Sequence, residues 1–258
     1  RLRGRKTGVQ YATDASAFLV TAMSDQGPVV VLVEAGAPGV DLRVGTCSRA
    51  LLDDVTTHTL VFDDAAAEVL PGEGAVATLV EHAVAGLTVL GAGLVAGARD
   101  LTAGYIKERE QFGRKLAEFQ AVATQIADVY ITSRLLDLAA DNAVWRLAHG
   151  LPASDDVAVA AHWLTTQGPD AMSTCHHLHG GMGVDETYPL HHFSSWLTDL
   201  DHLLGGPAGT LPQVRVEGPE TKNLELSRAQ RDLKAELRDY FTDLVPREAH
   251  REMMRERH

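Results

Sequence analysis

Residues 105–128 read YIKEREQFGRKLAEFQAVATQIAD, and apolar residues recur at helical spacing on both sides of Gly113 in this stretch. No proline occurs from Ala75 to Leu151. Because an α-helix has about 3.6 residues per turn, the spacing predicts two long helices, roughly 75–109 and 117–149, with Gly113 between them. The residues that set the spacing are Val80, Val84, Leu87, Leu94, Val95, Leu101, Tyr105, Phe119, Val122, Ile126, Val129 and Leu136.

Two more helices are predicted downstream. A helix over 155–178 is favoured by Ser154 as a potential N-cap and by Asp155 and Asp156 in its first turn. Another fits 188–204. Four helices of these lengths with short connections predict an antiparallel four-helix bundle.

The chain before the bundle has a different character. Residues 1–74 contain strand-like runs at 18–20, 29–33 and 59–62, separated by turn residues at 25–28, 37–39 and 71–74. This pattern predicts part of a β-sandwich or barrel, so the fold class expected for the chain is α+β.

The chain after the bundle is predicted to begin with a loop or linker over 205–223, which is rich in Gly and Pro. Residues 224–258 then carry one apolar stripe at helical spacing, with Ser227 as a potential cap. The stripe either packs on its own chain or belongs to the opening helix of a further domain. Its members are Leu233, Leu237, Phe241 and Leu244.

Composition excludes several classes of protein. The chain has 258 residues, of which 45% are hydrophobic and 22% charged, which excludes wholesale disorder. No uncharged apolar run reaches 18 residues, so we expect no membrane-spanning helix. The formal net charge of -12 disfavours nucleic-acid binding. Two cysteines cannot form a disulfide framework, and the start of the chain has no apolar signal core, so we expect a cytoplasmic protein whose sequence begins inside a domain.

Two segments carry a family resemblance. The first is residues 105–128; the second joins His177-Leu-His-Gly-Gly-Met-Gly183 to Tyr188-Pro189. Both resemble signatures of the acyl-CoA dehydrogenases, in the same order. The resemblance implies that 1–74 is part of the middle β domain and that 75–204 is the C-terminal helical-bundle domain. It also implies α,β-dehydrogenation of an acyl-CoA, with FAD as cofactor and electron-transfer flavoprotein as the acceptor.

The same resemblance implies which residues contact FAD, across an interface with a neighbouring subunit. Arg109 is a permanent planar cation suited to a pyrophosphate, and Gln120 offers an amide donor and acceptor. Phe112 can cover an apolar ring, and glycines let backbone N–H groups approach the dinucleotide. The predicted cofactor-binding set is Arg109, Gln111, Phe112, Gln120, His177, Gly180 and Gly181.

The catalytic base that the family requires is not found at either expected position. Family members place a Glu at one of two positions, which here carry Ala83 and Leu204. Neither side chain accepts a proton, so no catalytic residue is predicted in this chain. A displaced carboxylate remains an alternative; the nearby ones are Glu81, Asp199 and Asp201.

The β region departs from the family as well, since Gly8 stands where a Trp usually contacts the flavin ring. The chain is therefore similar to the Glu-lacking halves of heteromeric actinobacterial acyl-CoA dehydrogenases of steroid side-chain breakdown. This implies a Glu-bearing partner, either a separate subunit or a fused half, in a dimer or a dimer of dimers. In a tandem fusion, 224–258 would start a second acyl-CoA dehydrogenase-like helical domain.

Other functions stay open. The chain could be a scaffold of the same fold that binds no flavin, or an unrelated helical-bundle binding module. Histidines at 176, 177, 179, 191 and 192 do not have a recognised metal-ligand spacing, so no metal site is predicted. Cys175 is expected to be a small core residue.

Overall fold

The structure, a computed structural model, describes residues 1–49, 56–214, 228, 231–233 and 235–236. The chain divides into two compact units, residues 1–215 and residues 216–258. In the second unit, the described residues are helical, and Leu233 is 54% exposed. The other three members of the predicted apolar stripe, and the predicted cap Ser227, lie outside the described residues.

The described part of the β region contains six strands in two antiparallel sheets. Their sheet orders are β1-β5-β4 and β2-β3-β6. The three predicted strands fall within β2, β3 and β5. The strand bounds are β1 Leu2–Val9, β2 Ala17–Ser24, β3 Gly27–Glu34, β4 Val40–Arg49, β5 Thr56–Ala65 and β6 Glu68–Val69.

The two sheets share one hydrophobic core, as in a sandwich. Val20, Val31 and Val33 of one sheet are buried in the same cluster as Leu60 and Phe62 of the other. Alternation along β2 explains this, because Phe18 and Val20 are buried while Leu19 between them is exposed. The predicted α+β class, with strands preceding a helical bundle, is confirmed.

The helices follow the predicted order and differ from the predicted bounds by a few residues. A short hairpin and a turn of 3-10 helix at Leu116–Glu118 connect the first two helices. The bounds are α1 Ala75–Glu108, β7 Glu110–Gln111, β8 Arg114–Lys115, α2 Gln120–Ala148, α3 Ser154–His179, α4 Leu190–Leu204 and α5 Gly206–Thr210.

Glycines of α1 let the neighbouring helices pack closely in the bundle. A Cβ on Gly91 would lie 2.3 Å from the side chain of Leu164 in α3, and one on Gly97 would lie 2.4 Å from the ring of Phe193 in α4. At this distance a side chain at either position would force Leu164 or Phe193 to move within the packed core. The core between the helices is built from Val95, Val129, Leu136, Leu164, Leu190 and Leu197.

Helix α1 also meets the length and composition criteria for a membrane span, alone among the helices of the described residues. The mean hydropathy of its most apolar window is 1.7. It contacts α2, α3 and α4, as expected for the central helix of a bundle. Since a core helix and a membrane helix share this composition, the expectation of no membrane span stays a prediction.

Two local predictions were wrong. Ser154 is not the N-cap of α3: Ala153 takes that position, and the Ser154 hydroxyl donates to Glu81 Oε1 at 2.8 Å, because a carboxylate of α1 lies within its reach. Asp155 and Asp156 do lie in the first turn. The predicted linker over 205–223 is also wrong for residues 206–213, which form α5 and a 3-10 turn at Leu211–Gln213.

The packing of α5 explains the second error. Thr210 is buried, and its hydroxyl lies 3.0 Å from Thr165 Oγ1 and 3.1 Å from His162 Nδ1, both on α3. These polar contacts hold α5 against α3. Composition alone does not predict them, since they depend on a single threonine among glycines and prolines.

Candidate functional site

Arg109 is the C-cap residue of α1 and directly precedes the hairpin. Its backbone is extended, its N–H donates to the Tyr105 carbonyl, and its own carbonyl accepts from the Leu116 N–H at 2.9 Å. These two bonds fix the backbone at Arg109 from both sides. The guanidinium is left exposed at the surface of the chain.

The turn of the hairpin carries an exposed aromatic side chain. Phe112 and Gly113 have φ angles of 55° and 77°, which places both in the left-handed region, as a type I′ turn requires. A non-glycine residue in this region costs about 1 kcal/mol or more, and such outliers cluster at binding sites. Phe112 is 94% exposed, although its ring makes an edge contact with Phe119.

A second turn follows α3. Gly180 has φ 57° and ψ -130°, a backbone conformation that is essentially restricted to glycine. Gly183 is buried, and a Cβ there would lie 2.5 Å from the His176 carbonyl oxygen. At Gly180 and Gly181, by contrast, a Cβ would meet no atom within 4 Å. The first half of this turn is therefore open on its outer side and the second half is packed.

A cluster of three aromatic rings, of which His179 is buried and Tyr105 and Tyr188 are half-buried, joins the end of α1 to this second turn. The ring of His179 stacks on Tyr105, with centroids 4.5 Å apart, and lies 5.1 Å from the ring of Tyr188. The Tyr105 hydroxyl is 3.4 Å from the His179 carbonyl oxygen. Tyr105 lies one helical turn before Arg109 and His179 directly precedes Gly180, so the two signature segments meet here.

A cavity of about 1020 Å³ lies elsewhere on the unit, between the start of β3, the first turns of α1, and helices α3 to α5. Its walls are mostly apolar. The Glu81 carboxylate and the Ser154 hydroxyl, which are hydrogen bonded to each other, contribute a polar group. The apolar lining includes Val80, Val84, Leu87, Val157, Ala158, Ala161, Leu203 and Leu204.

Comparison with known proteins identifies the family. The family model "Acyl-CoA dehydrogenase, C-terminal domain" matches residues 72–206, slightly more than half of the chain. The chain belongs to the acyl-CoA dehydrogenase family. The resemblance inferred from the two segments is thereby confirmed, and members of this family are FAD-dependent.

Individual relatives show which members of the family this chain is similar to. "Acyl-CoA dehydrogenase FadE28" of Mycobacterium tuberculosis is 45% identical over 216 residues, covering 82% of this chain and 60% of its own length. The chain also matches the ChsE4-ChsE5 complex from M. tuberculosis at 35% sequence identity with a TM-score of 0.76. This match covers 83% of the present chain and 58% of the matched chain. A steroid acyl-CoA dehydrogenase, Tcur3481-Tcur3483, matches at 34% sequence identity with a TM-score of 0.76. This match covers 83% of the present chain and 58% of the matched chain. The chain thus spans about 60% of the length of these relatives.

The residues predicted to contact FAD are all exposed in this acyl-CoA dehydrogenase chain. Arg109, Gln111 and Phe112 lie in and beside the hairpin, and Gln120 is the first residue of α2. His177 lies in the last turn of α3, followed by Gly180 and Gly181 in the turn. The contacts that join the two groups come from Tyr105 and His179, which the sequence analysis did not place in the site.

These residues fit a dinucleotide. The open space beside Gly180 and Gly181 lets a ligand reach the backbone N–H groups directly, and the exposed guanidinium of Arg109 can neutralise phosphate charge. Arg114 lies over the Phe119 ring, 4.1 Å from its centroid, and so packs on the residue that precedes α2 rather than extending freely into solvent.

The two positions that were predicted to correspond to the family's base differ in their surroundings. Leu204 is half-buried and lines the cavity, whereas Ala83 is exposed. Of the alternative carboxylates, Glu81 lines the cavity. Asp199 Oδ2 and Asp201 Oδ1 are buried and have no hydrogen-bond partner among the described residues. Burial raises the pKa of Asp201 above its usual value.

Three of the five histidines in this region bond to backbone carbonyls of the chain itself. His176 Nδ1 bonds to the Gly183 carbonyl, and His191 Nδ1 lies 3.0 Å from the Tyr188 carbonyl. No group of three His, Cys, Asp or Glu side chains that could hold a metal occurs within the described ranges. Cys175 is buried, and burial raises the pKa of its thiol, consistent with a core residue.

Proposed function

We propose that this chain is part of an FAD-dependent acyl-CoA dehydrogenase, to which it contributes an FAD-binding surface across a subunit interface. The observation that carries the proposal is the open Gly180–Gly181 turn, joined through Tyr105 and His179 to the helix end that presents Arg109. An exposed cation and exposed backbone donors on two connected segments form a surface that a ligand held by a second subunit can reach.

Each residue has an assigned role in this proposal. Arg109 pairs with the pyrophosphate, and the N–H groups of Gly180 and Gly181 donate to the dinucleotide. Gln111, Gln120 and His177 offer hydrogen bonds to its polar edges. Phe112, held outward by its left-handed backbone, covers an apolar part of the cofactor. FAD, when bound, supplies the hydride acceptor for the dehydrogenation.

The catalytic Glu is proposed to lie in another chain or in a fused half. Leu204 and Ala83 occupy the two positions at which the family carries this residue, and hydrocarbon side chains cannot remove the α-proton of an acyl-CoA. The role left to this chain in the reaction is to bind and orient the cofactor while the partner supplies the base.

A bulky acyl group, such as one with a steroid side chain, is the proposed substrate class of the assembled enzyme. The apolar cavity of about 1020 Å³ is at the upper end of the range for small-molecule pockets. Similarity to a steroid acyl-CoA dehydrogenase and to the ChsE4-ChsE5 complex supports this class. We further propose electron-transfer flavoprotein as the electron acceptor and the cytoplasm as the location.

A related, Glu-bearing subunit is proposed to bind the outer face of α2. Ile131, Leu135, Leu138 and Trp145 are all exposed and follow one another at intervals of four, three and seven residues, which places them on one side of the helix. An apolar face of this extent on a helix surface is typical of an interface. The assembly would be a dimer or a dimer of dimers.

Arg109→Ala tests the cofactor surface in the complex with the partner subunit. We expect the FAD content of the purified complex to fall at least tenfold, because a cation paired with the pyrophosphate is lost. Arg43→Ala is the matched control, since Arg43 is an exposed arginine on β4 paired with Asp41 and lies outside both the cofactor surface and the proposed interface. Full FAD occupancy in the Arg109 variant would refute the proposal and favour a scaffold subunit of the same fold that binds no flavin.

A further inference from the structure

His179 is buried directly behind the turn that the proposed function assigns to FAD. It is the last residue of α3 and only 2% exposed, whereas His177, two residues earlier, is exposed. His177 therefore faces outward and can touch a ligand, and His179 faces the protein interior. An ionisable ring in such a position requires partners for both of its nitrogens.

The partners of the His179 ring determine its tautomer. Nδ1 lies 2.8 Å from the Cys175 carbonyl oxygen, which can only accept, so Nδ1 carries the proton. In the neutral ring Nε2 then accepts, and the Tyr188 hydroxyl lies 3.2 Å away as the donor. Burial lowers the pKa of His179, which favours this neutral ring.

The backbone of His179 is held from a third direction. Its carbonyl oxygen, one peptide bond before Gly180, accepts from the Tyr105 hydroxyl at 3.4 Å, and Tyr105 also stacks on the ring. Downstream, His176 Nδ1 bonds to the Gly183 carbonyl. The backbone on both sides of Gly180–Gly181 is thus attached to α1 and to α3, and the His179 ring adds a bond to Tyr188 in the segment before α4.

We propose that His179 is a positioning residue for the FAD-binding turn: by bridging Cys175, Tyr188 and Tyr105, it fixes the direction of the Gly180 and Gly181 N–H groups before FAD arrives. Donors that are already oriented bind a ligand more tightly, because no ordering cost falls on binding. The inference rests on the proposed function, since it concerns the same turn.

His179→Phe and Tyr188→Phe test this role in the flavin-loaded complex with the partner subunit. Phe keeps the stacked ring on Tyr105 but loses both ring hydrogen bonds, and Tyr188→Phe removes only the donor to Nε2. We expect each variant to release FAD about tenfold faster, measured as recovery of free-flavin fluorescence. The double variant should release FAD no faster than the worse single variant, because both changes break the same bridge.

His179→Gln is the conservative rescue, because its amide oxygen can accept from Tyr188. We expect it to recover more of the slow FAD release than His179→Phe does. The matched control is His82→Phe: His82 also bonds through Nδ1 to the carbonyl four residues earlier, that of Thr78, but at an exposed position of α1. This control should release FAD at the wild-type rate.

Three outcomes separate the two proposals. Unchanged FAD release in His179→Phe, with FAD loss in Arg109→Ala, would overturn the positioning role and leave the proposed function standing. Full FAD occupancy in Arg109→Ala would refute the proposed function itself. Equal FAD release from His179→Phe and His179→Gln, together with an equal drop in melting temperature, would reduce His179 to a structural residue and overturn its positioning role.

Discussion

Gly183 packs against the backbone of His176 so closely that a Cβ on Gly183 would lie 2.5 Å from the His176 carbonyl oxygen. A side chain cannot be accommodated there by a rotamer change, because the obstacle is a backbone atom. Gly181, two residues earlier in the same turn, has open space where its Cβ would be. A side chain at Gly183 would therefore clash with the protein's own backbone, whereas a side chain at Gly181 would only occupy space outside the chain.

Gly183→Ala is predicted to destabilise the protein, because the turn must move away from α3 to admit the methyl group. We expect a loss of about 2 kcal/mol in the free energy of unfolding, measured by urea denaturation. Gly181→Ala, the matched variant, should change stability by less than about 0.5 kcal/mol.

The same pair of variants separates stability from ligand binding. Gly181→Ala should weaken FAD binding about tenfold in the assembled complex, since the methyl group would occupy the space through which the cofactor reaches the backbone. Normal FAD affinity in Gly181→Ala would argue against direct contact between this turn and the dinucleotide.

The helices were predictable from the sequence because their apolar residues repeat at the helical period over long spans. The bounds of α1 and α2 agree with the prediction to within a few residues for that reason. The hairpin between them was not predicted, because phenylalanine rarely adopts the left-handed backbone that Phe112 has here. Such a turn also leaves the spacing of the apolar residues unchanged, so the helical pattern does not reveal it. The exposed cofactor residues were found through family motifs rather than through periodicity.

The residues that organise the site were not predictable in the same way. His179 lies among apolar positions of α3, where a single histidine usually marks a satisfied core residue, and Tyr105 and Tyr188 are separated by 83 positions in the sequence. Only tertiary packing brings their rings together. All three residues do lie within the two family segments, but nothing in the sequence indicates that their side chains meet.

Asp201→Asn is predicted to stabilise the protein at neutral pH. Burial raises the pKa of Asp201 in the folded state above the value of about 3.8 in the unfolded chain, so the folded state holds this proton more tightly. The ionised carboxylate therefore lowers stability once the pH rises above 3.8 and through the folded-state pKa. Thermal unfolding should show a gain of about 3 °C at pH 7 and no gain at pH 3.

Asp185→Asn is the control of opposite sign for that measurement. Asp185 accepts hydrogen bonds from the N–H and the hydroxyl of Thr187, which lower its pKa. Its ionised form is favoured in the folded state, so this variant should lose stability at pH 7 and lose nothing at acidic pH. A gain for both aspartates would indicate an effect of net charge, since both variants remove one negative charge.

Leu138→Glu is predicted to weaken binding of the partner subunit without unfolding the chain. Leu138 is 67% exposed on α2, so a carboxylate there meets water in the free chain but would have to leave water in the proposed interface. We expect at least a tenfold weaker complex by analytical ultracentrifugation. Met23→Glu, at an exposed position of β2, should leave the complex intact. Equal assembly of both variants would assign the partner to another face.

Glu81→Gln decides whether this chain supplies a displaced base. Glu81 lines the cavity and accepts a hydrogen bond from Ser154, and the amide preserves that bond, so only the ability to take a proton is lost. If the base lies in the partner, kcat of the complex should stay within about twofold of wild type. Removal of a true general base costs about 10²-fold or more.

Ser154→Ala is the control for the geometry of Glu81, because it removes the hydrogen bond and leaves the carboxylate. A loss of 10²-fold or more in Glu81→Gln, with near-normal kcat in Ser154→Ala, would move the base into this chain. Measuring kcat of Asp199→Asn tests a second displaced carboxylate. Normal rates in all three variants, with loss of turnover when the partner's Glu is replaced, are what a division of labour between the two subunits requires.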